Sequence, residues 1–379
     1  MNFPKLDNVR VEDLKNILSN CTDASGLIHK SKYSTLHSYE NIINIFFVSG
    51  IILFGILGNI LSFFVLSLER RKNPTIFILI CLTTIDSLFL IICFFFQSVY
   101  SLAKVNFWLK YSYIYERNIA FLYTLGLCLR VIRNWTVVLV TIERYLAVRN
   151  PLKTAIIWHS KKPRNYFILI VILGLLINIP QFLFIRTIDL VCQGNSQYHR
   201  KILKIDTMYI SKREFFNKNP IIHLMLIIFS YTFTVLSPII LLIYINYKFR
   251  ICLKNAYIER CQMIKLSVDC EMKKTHSYVD RKMFDTDKII IGVVGFYLFC
   301  EILSIPYQIL SWSNITSATK ILKPINNLLV CLNSSGNFFI YIFLGKRFRH
   351  NLLKLLRRNL YLGRKKNSRF YISSNSDYI

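Results

Sequence analysis

Charged side chains inside otherwise apolar runs are the first residues in this chain that could do chemistry. Asp86, Arg130, Arg133 and Glu301 each interrupt a run of apolar residues, and Glu143 and Arg144 stand together near the end of another. A charge at the middle of a bilayer costs about 2.5–3.5 kcal/mol on the insertion scale, so such groups face a bundle interior, pair with one another and mark function. Arg130 and Arg133 are three apart and share one helical face. Asn59, Asn333 and Asn337 add polar groups at membrane depth that need hydrogen-bond partners. Covalent chemistry does not fit this set. Asp86 and Glu301 alone do not make the His or carboxylate cluster of an intramembrane enzyme, and no residues have metal-ligand spacing. A retinal protein needs a lysine within a span, whereas Lys320 and Lys323 sit at the outer edge of the last one. Neither an enzyme nor a bound cofactor is expected.

The elements that position these charges are membrane spans. A chain of 379 residues with 54% hydrophobic, 15% aromatic and only 18% charged residues is more apolar than an ordinary soluble domain. A spanning helix needs roughly 20 mostly apolar residues. Six stretches qualify directly, at about 42–68, 74–100, 166–187, 221–247, 287–311 and 322–344, and a seventh, 117–147, carries Arg130 and Arg133. The fold class read from this is an all-α membrane protein, a seven-helix bundle. It has an amino-terminal tail 1–41, a membrane domain 42–344 and a tail 345–379. In that tail Phe348, Leu352, Leu355 and Leu356 recur on one face among Arg and Lys, the pattern of a short amphipathic eighth helix at 346–360 on the inner leaflet. Ser and Tyr between Lys365 and Ile379 are candidate phosphorylation sites.

The net charge of +28 points to the membrane surface rather than to nucleic acid. Lys and Arg cluster after the first span (Arg70, Arg71, Lys72), after the third (Arg149 to Arg164), between the fifth and sixth (Lys248 to Lys288) and after Leu344. These segments share one side, the cytoplasm, which leaves the amino terminus outside and the protein in the plasma membrane. The loop after the fourth span, with Arg200, Lys201, Lys204, Lys212, Arg213 and Lys218, narrows that asymmetry. No signal peptide precedes the first span, which then inserts as a signal anchor. Sequons at Asn20 and Asn314 fall outside, whereas those at Asn134 and Asn333 fall within spans. Of ten cysteines, only Cys21 and Cys192 fall in outer segments; Cys252, Cys261 and Cys270 are assigned to an inner loop.

Several of these residues stand in a recognisable order. Gly58-Asn59 lies in span one, and Leu82 with Asp86 in span two. Glu143-Arg144-Tyr145 ends span three and is followed by Asn150-Pro151-Leu152. Pro238 is in span five, and Asn333-Ser334-Ser335-Gly336-Asn337-Phe338-Phe339-Ile340-Tyr341 is in span seven. From about 45 to 350 the chain resembles the rhodopsin-like G-protein-coupled receptors, and within them the FMRFamide-receptor-like neuropeptide receptors, where Phe338 in place of the usual proline is familiar. The resemblance implies a coupling switch of Glu143, Arg144, Tyr145, Asn337 and Tyr341. It also implies a core polar network of Asn59, Asp86, Arg133 and Asn333.

Departures from that pattern set further expectations. Ile119 stands where the family keeps its span-three cysteine, so the usual bridge cannot form; an outer disulfide, if present, joins Cys21 to Cys192, and two free thiols are the other reading. The span-four tryptophan is missing. Arg133 occupies a position that faces the span-two aspartate and usually helps to bind sodium, so it is expected to neutralise Asp86. Snorkelling elsewhere is the alternative. Glu301 replaces the span-six tryptophan, with Pro306 displaced by about a turn, and is expected to pair with Arg130 at the floor of the ligand site. There an arginine-bearing peptide would compete for Glu301, or a carboxylate for Arg130. The expected partners are a heterotrimeric G protein, an extracellular ligand (a short peptide) and the lipid bilayer. The competing readings are an orphan receptor for a non-peptide ligand, a receptor-like chain that does not signal, and a seven-span transporter; the inverted repeats of the last are not seen.

Overall fold

In the computed structural model the described residues are 21–22, 28–29, 41–68, 74–105, 109–157, 162–180, 185–192, 207–212, 220–266, 270–312 and 316–357. Among them, six helices are long and apolar enough to cross a membrane, which makes this a multi-pass membrane protein. Helix α1 is Ile43–Ser67 and α2 is Pro74–Leu102. Helix α3 is Leu109–Arg149 and α4 is Lys162–Ile177. Helix α5 runs as Pro220–Tyr231, a π-helical turn Thr232–Leu236 and Ser237–Leu266. Helix α6 is Cys270–Trp312, α7 is Thr316–Leu344, and residues 346–357 are again helical.

The faces are inverted relative to a water-soluble bundle. Phe46, Phe54, Leu57, Ile172, Phe229, Ile240 and Phe343 point outward and are exposed, whereas Asn59, Asp86, Arg133, Asn134, Glu143 and Glu301 are buried. Lipid solvates the first group; in a bilayer the second group must find partners among the helices. The apolar core lies between them, with Leu82, Val140, Leu242, Ile290, Val294, Tyr297 and Tyr341 in one cluster and Ile52, Leu90, Ile132 and Cys331 in another. Helices α1 and α7 come together where side chains are smallest. A Cβ added to Gly58 would lie 2.8 Å from the Phe338 ring, so Gly58 is what lets Phe338 turn inward.

The π-helical turn of α5 has a use at this packing. It leaves carbonyls of the turn to be satisfied from outside, and α3 supplies the donors. Asn134 Nδ2 donates to the Thr234 carbonyl at 2.8 Å and Trp135 Nε1 to the Phe233 carbonyl at 3.3 Å. Asn134 is therefore a structural residue buried against α5.

Two expected boundaries move. The stretch 166–187 is not one helix. The continuous helix is α4, and Ile185 already begins a strand. Asn178 folds its Nδ2 back onto the Gly174 carbonyl at 2.7 Å, and Pro180 follows without an N–H to continue the ladder. The basic segment 248–288 is largely helical, because α5 continues to Leu266 and α6 starts at Cys270. Cys252 thus stands on α5 rather than in a loop.

Four short strands lie outside the helices: β1 Cys21–Thr22, β2 Ile28–His29, β3 Ile185–Cys192 and β4 Thr207–Lys212. They form one antiparallel sheet in the order β2-β1-β3-β4. Its register sets Cys21 opposite Cys192. Helical periodicity gave no sign of this sheet.

Candidate functional site

Glu301 on α6 is the centre of a buried charge cluster joining three helices. Arg130 Nη2 donates to its Oε2 at 2.7 Å, and Arg133 Nη2 to its Oε1 at 3.0 Å. From α7, Asn333 Nδ2 adds a third donor to Oε1 at 3.3 Å. Both carboxylate oxygens are in use, and the Glu301 side chain is only 1% exposed. The helical spacing of Arg130 and Arg133 brings both guanidiniums to one side of α3, as their shared face requires. Pro306, one turn beyond Glu301, removes a backbone donor and weakens α6 between the cluster and the helix's outer end.

The two arginines differ in what they hold. Arg133 is fully engaged. Its Nη1 donates to Ser334 Oγ at 2.6 Å, its Nε and Nη2 reach Asn134 Oδ1 at 3.4 and 3.3 Å, and its guanidinium lies 5.5 Å from the centre of the Phe89 ring. Arg130 makes its one hydrogen bond through Nη2, its buried Nε has no partner among the described residues, and its side chain keeps 13% exposure.

The expected ion pair between Arg133 and Asp86 does not form. Asp86 Oδ2 instead accepts from Asn337 Nδ2 at 2.7 Å, and Arg133 turns to Glu301 and Ser334. Glu301 offers the guanidinium a carboxylate already ringed by donors, while Asp86 receives one amide from α7 at Oδ2, keeps Oδ1 without a partner among the described residues, and meets Arg133 only through charge at longer range. Helix α7 is thereby the hub of the polar core: Asn333 binds α6, Ser334 binds α3, and Asn337 binds α2. Asn59 Nδ2 on α1 donates to the Ser334 carbonyl at 3.0 Å. Ser334 stood in the span-seven motif without a role of its own; its place between Asn333 and Asn337 was the available signal.

No protein-family model matches the chain. It is similar to an FMRFamide receptor of Drosophila melanogaster, with 26% identity over 320 residues, covering 81% of this chain and 53% of that protein. It is also similar to FMRFamide peptide receptor frpr-18 of Caenorhabditis elegans, with 21% identity over 323 residues, covering 81% of this chain and 67% of that protein. The chain resembles FMRFamide receptors. It thus spans about half the length of the Drosophila relative, and both relatives are receptors, not enzymes.

At the other end of this FMRFamide-receptor-like bundle, Glu143 and Arg144 form a second pair. Arg144 donates through Nε to Oε2 at 2.7 Å and through Nη2 to Oε1 at 2.6 Å, a two-point contact within one helix. Adjacent helical positions diverge by about 100°, so the arginine curls back across the surface of α3 to make it. The hydrogen bonds of the pair itself stay within α3, while the Asp287 carboxylate of α6 acts on Arg144 through charge. The link to α2 comes from Thr75, whose hydroxyl donates to Glu143 Oε2 at 2.7 Å, a residue the sequence reading overlooked. Tyr145 stands beside it and accepts from Arg149 Nη1 at 2.7 Å. Tyr341 on α7 is buried, with its ring 5.5 Å from that of Phe348 in the helix 346–357. Arg349 of that helix caps the end of α7 by donating to the Ile342 and Phe343 carbonyls at 2.7 and 2.9 Å. Asn20 and Asn314 lie outside the described residues.

Proposed function

We propose that the chain is a G-protein-coupled receptor for a short extracellular neuropeptide, activating a heterotrimeric G protein. The observation that carries this reading is the pairing, in one membrane bundle, of two features. One is a charged cluster with an accessible arginine between α3 and α6; the other is a closed Glu143–Arg144 pair at the far end of α3. They occur in a chain similar over 81% of its length to a Drosophila FMRFamide receptor. In this reading the ligand acts at the Arg130–Glu301 pair, and the rearrangement of α6 and α7 frees Arg144 for the G protein. Tyr145, Asn337 and Tyr341 are the other parts of that switch. Asn59, Asp86, Arg133 and Asn333 hold the polar core between the two ends.

The topology that goes with it has seven crossings, with α4 as the seventh, the amino terminus outside and the helix 346–357 on the inner leaflet. The exposed Leu353 and Leu356 of that helix, beside Lys354 and Arg357, support its place at a lipid surface. The tails 1–41 and 345–379 then flank the membrane domain 42–344, and Asn20 and Asn314 carry glycan. Cys21 and Cys192 form the outer disulfide. Directly opposed residues of antiparallel strands have Cα atoms about 4.5–5.5 Å apart, within the range a disulfide spans, and the register of β1 on β3 supports the bond. Cys21→Ser and Cys192→Ser are each expected to reduce surface expression several-fold, with the double variant no worse than either. A double variant with additive loss means the two thiols act separately.

The test of the function is G-protein activation in cells expressing the chain, exposed to FMRFamide and related amidated peptides. Activation is expected, and Arg144→Ala is expected to abolish it at unchanged surface density. Silence toward every peptide tried, at normal surface density, overturns the peptide-receptor reading.

A further inference from the structure

We infer that the ligand presents a hydrogen-bond acceptor, a carboxylate or an amide carbonyl oxygen, to the open edge of Arg130, and that Glu301 is kept for the protein's own arginines. This deepens the receptor reading and rests on it only for what the binding achieves. Two outcomes were chemically open at this site: a cationic ligand on Glu301, or an acceptor on Arg130. Occupancy separates them.

Glu301 is closed. Its two oxygens already receive Arg130 at 2.7 Å, Arg133 at 3.0 Å and Asn333 at 3.3 Å, and its side chain is 1% exposed. A ligand cation would have to displace an arginine into the membrane core, where an unpaired charge is costly. Arg130 is open. A guanidinium carries five N–H donors in a planar fork, and this one spends Nη2 on Glu301. Nε is buried without a partner, and Nη1 makes no hydrogen bond among the described residues. An unmet buried donor destabilises the ligand-free protein, so a ligand oxygen here gains a charge-assisted hydrogen bond and relieves that cost at once.

Arg133 sharpens the assignment by contrast. It sits one turn away with the same chemistry, yet Ser334, Asn134 and Glu301 take its nitrogens, and its side chain is 2% exposed. The ligand therefore reads one arginine of the two.

The experiment uses the full-length chain purified in detergent, with its melting temperature followed against three phenyl-bearing probes: N-acetylphenylalaninamide (neutral carbonyls), 3-phenylpropionate (a carboxylate) and phenylethylammonium (a cation). At least one acceptor probe is expected to raise the melting temperature, and the cation is not. Which acceptor acts distinguishes a carboxylate from an amide carbonyl. Arg130→Lys keeps a positive charge for Glu301 but replaces the fork with a point donor, and is expected to weaken the acceptor's apparent affinity about ten- to hundredfold. Should that variant not fold, the ranking of probes on the unmodified chain still decides. Stabilisation by the cation alone overturns the inference, as does an acceptor effect that Arg130→Lys leaves unchanged, or no effect from either acceptor. Peptide-driven G-protein activation is measured on the same preparation, so a chain that binds acceptors through Arg130 yet never signals removes the receptor reading and leaves this one standing.

Discussion

Two carboxylate–guanidinium contacts of similar length, one midway along α3 and one near its carboxyl end, do different work. The Arg130–Glu301 contact at 2.7 Å ties α3 to α6, and Arg133 and Asn333 bind the same carboxylate. The Arg144–Glu143 contact at 2.6 Å closes within α3, with Thr75 of α2 donating to the carboxylate and the Asp287 charge of α6 acting on the arginine. Distance therefore says little about what an ion pair holds together; the helices that supply its atoms say much more. Exposure does not separate the pairs, since Arg130 and Glu301 keep 13% and 1% and Arg144 and Glu143 keep 10% and 1%. The number of helices on each carboxylate does. Glu143 holds one arginine, its own neighbour on α3, which suits a switch; Glu301 holds two arginines of α3 and an amide of α7, which suits a joint.

The largest expected effect follows from removing the joint. Glu301→Gln leaves two arginines without their anion and is expected to destabilise the chain by about 3–5 kcal/mol, read as a fall in melting temperature in detergent. A change under about 1 kcal/mol would mean that water already reaches the cluster. Exchanging the charges, Arg130→Glu with Glu301→Arg, is expected to recover only part of the loss. The new arginine would face Arg133, which shares the carboxylate in the native chain. The coupling measured by the double-mutant cycle should still lie within about 0.5–3 kcal/mol, and strict additivity would break the assignment of a direct contact.

A smaller effect tests the packing that sets α7 between the two ends. Gly58→Ala puts a Cβ 2.8 Å from Phe338 and is expected to cost about 1–3 kcal/mol, partly recovered when Phe338→Ala is added. Equal losses with and without the second change would show that the strain lies elsewhere. A smaller stability effect than that of Glu301→Gln belongs to the Glu143–Arg144 pair. Glu143→Gln keeps an acceptor for Thr75 and Arg144 and leaves one arginine, with the Asp287 carboxylate of α6 still acting on it, where Glu301→Gln strands two. It should nonetheless raise signalling in the absence of ligand, measured as basal G-protein activation.

Much of this was legible beforehand, for reasons that also explain what was not. Hydropathy placed the long helices because a bilayer demands long apolar runs whatever their packing, and Arg130 and Arg133 on one face followed from helical spacing alone. The partner of Arg133 was not legible. A long guanidinium reaches in several directions, and Glu301 on α6, Ser334 on α7 and the neighbouring Asn134 take its nitrogens, while Asp86 on α2 accepts from Asn337 instead. The sheet was missed because a hydropathy window sums apolar residues without asking their period. Ile185 was absorbed into span four, although the β-branched run in Ile185–Cys192 carried a strand signal. Compartment alone singled out Cys21 and Cys192; the register that sets them opposite each other belongs to the sheet and was not legible.

The measurement that bears most directly on the account sets Glu301→Gln beside Glu143→Gln in the same cells and detergent, with melting temperature and ligand-free G-protein activation recorded for both. The account requires the two readouts to dissociate. Glu301→Gln should lower the melting temperature far more, and Glu143→Gln should raise basal activation with the smaller loss of stability. Two variants that lose stability equally, or a Glu143→Gln chain with no rise in basal activation, would contradict the division between a joint at Glu301 and a switch at Glu143.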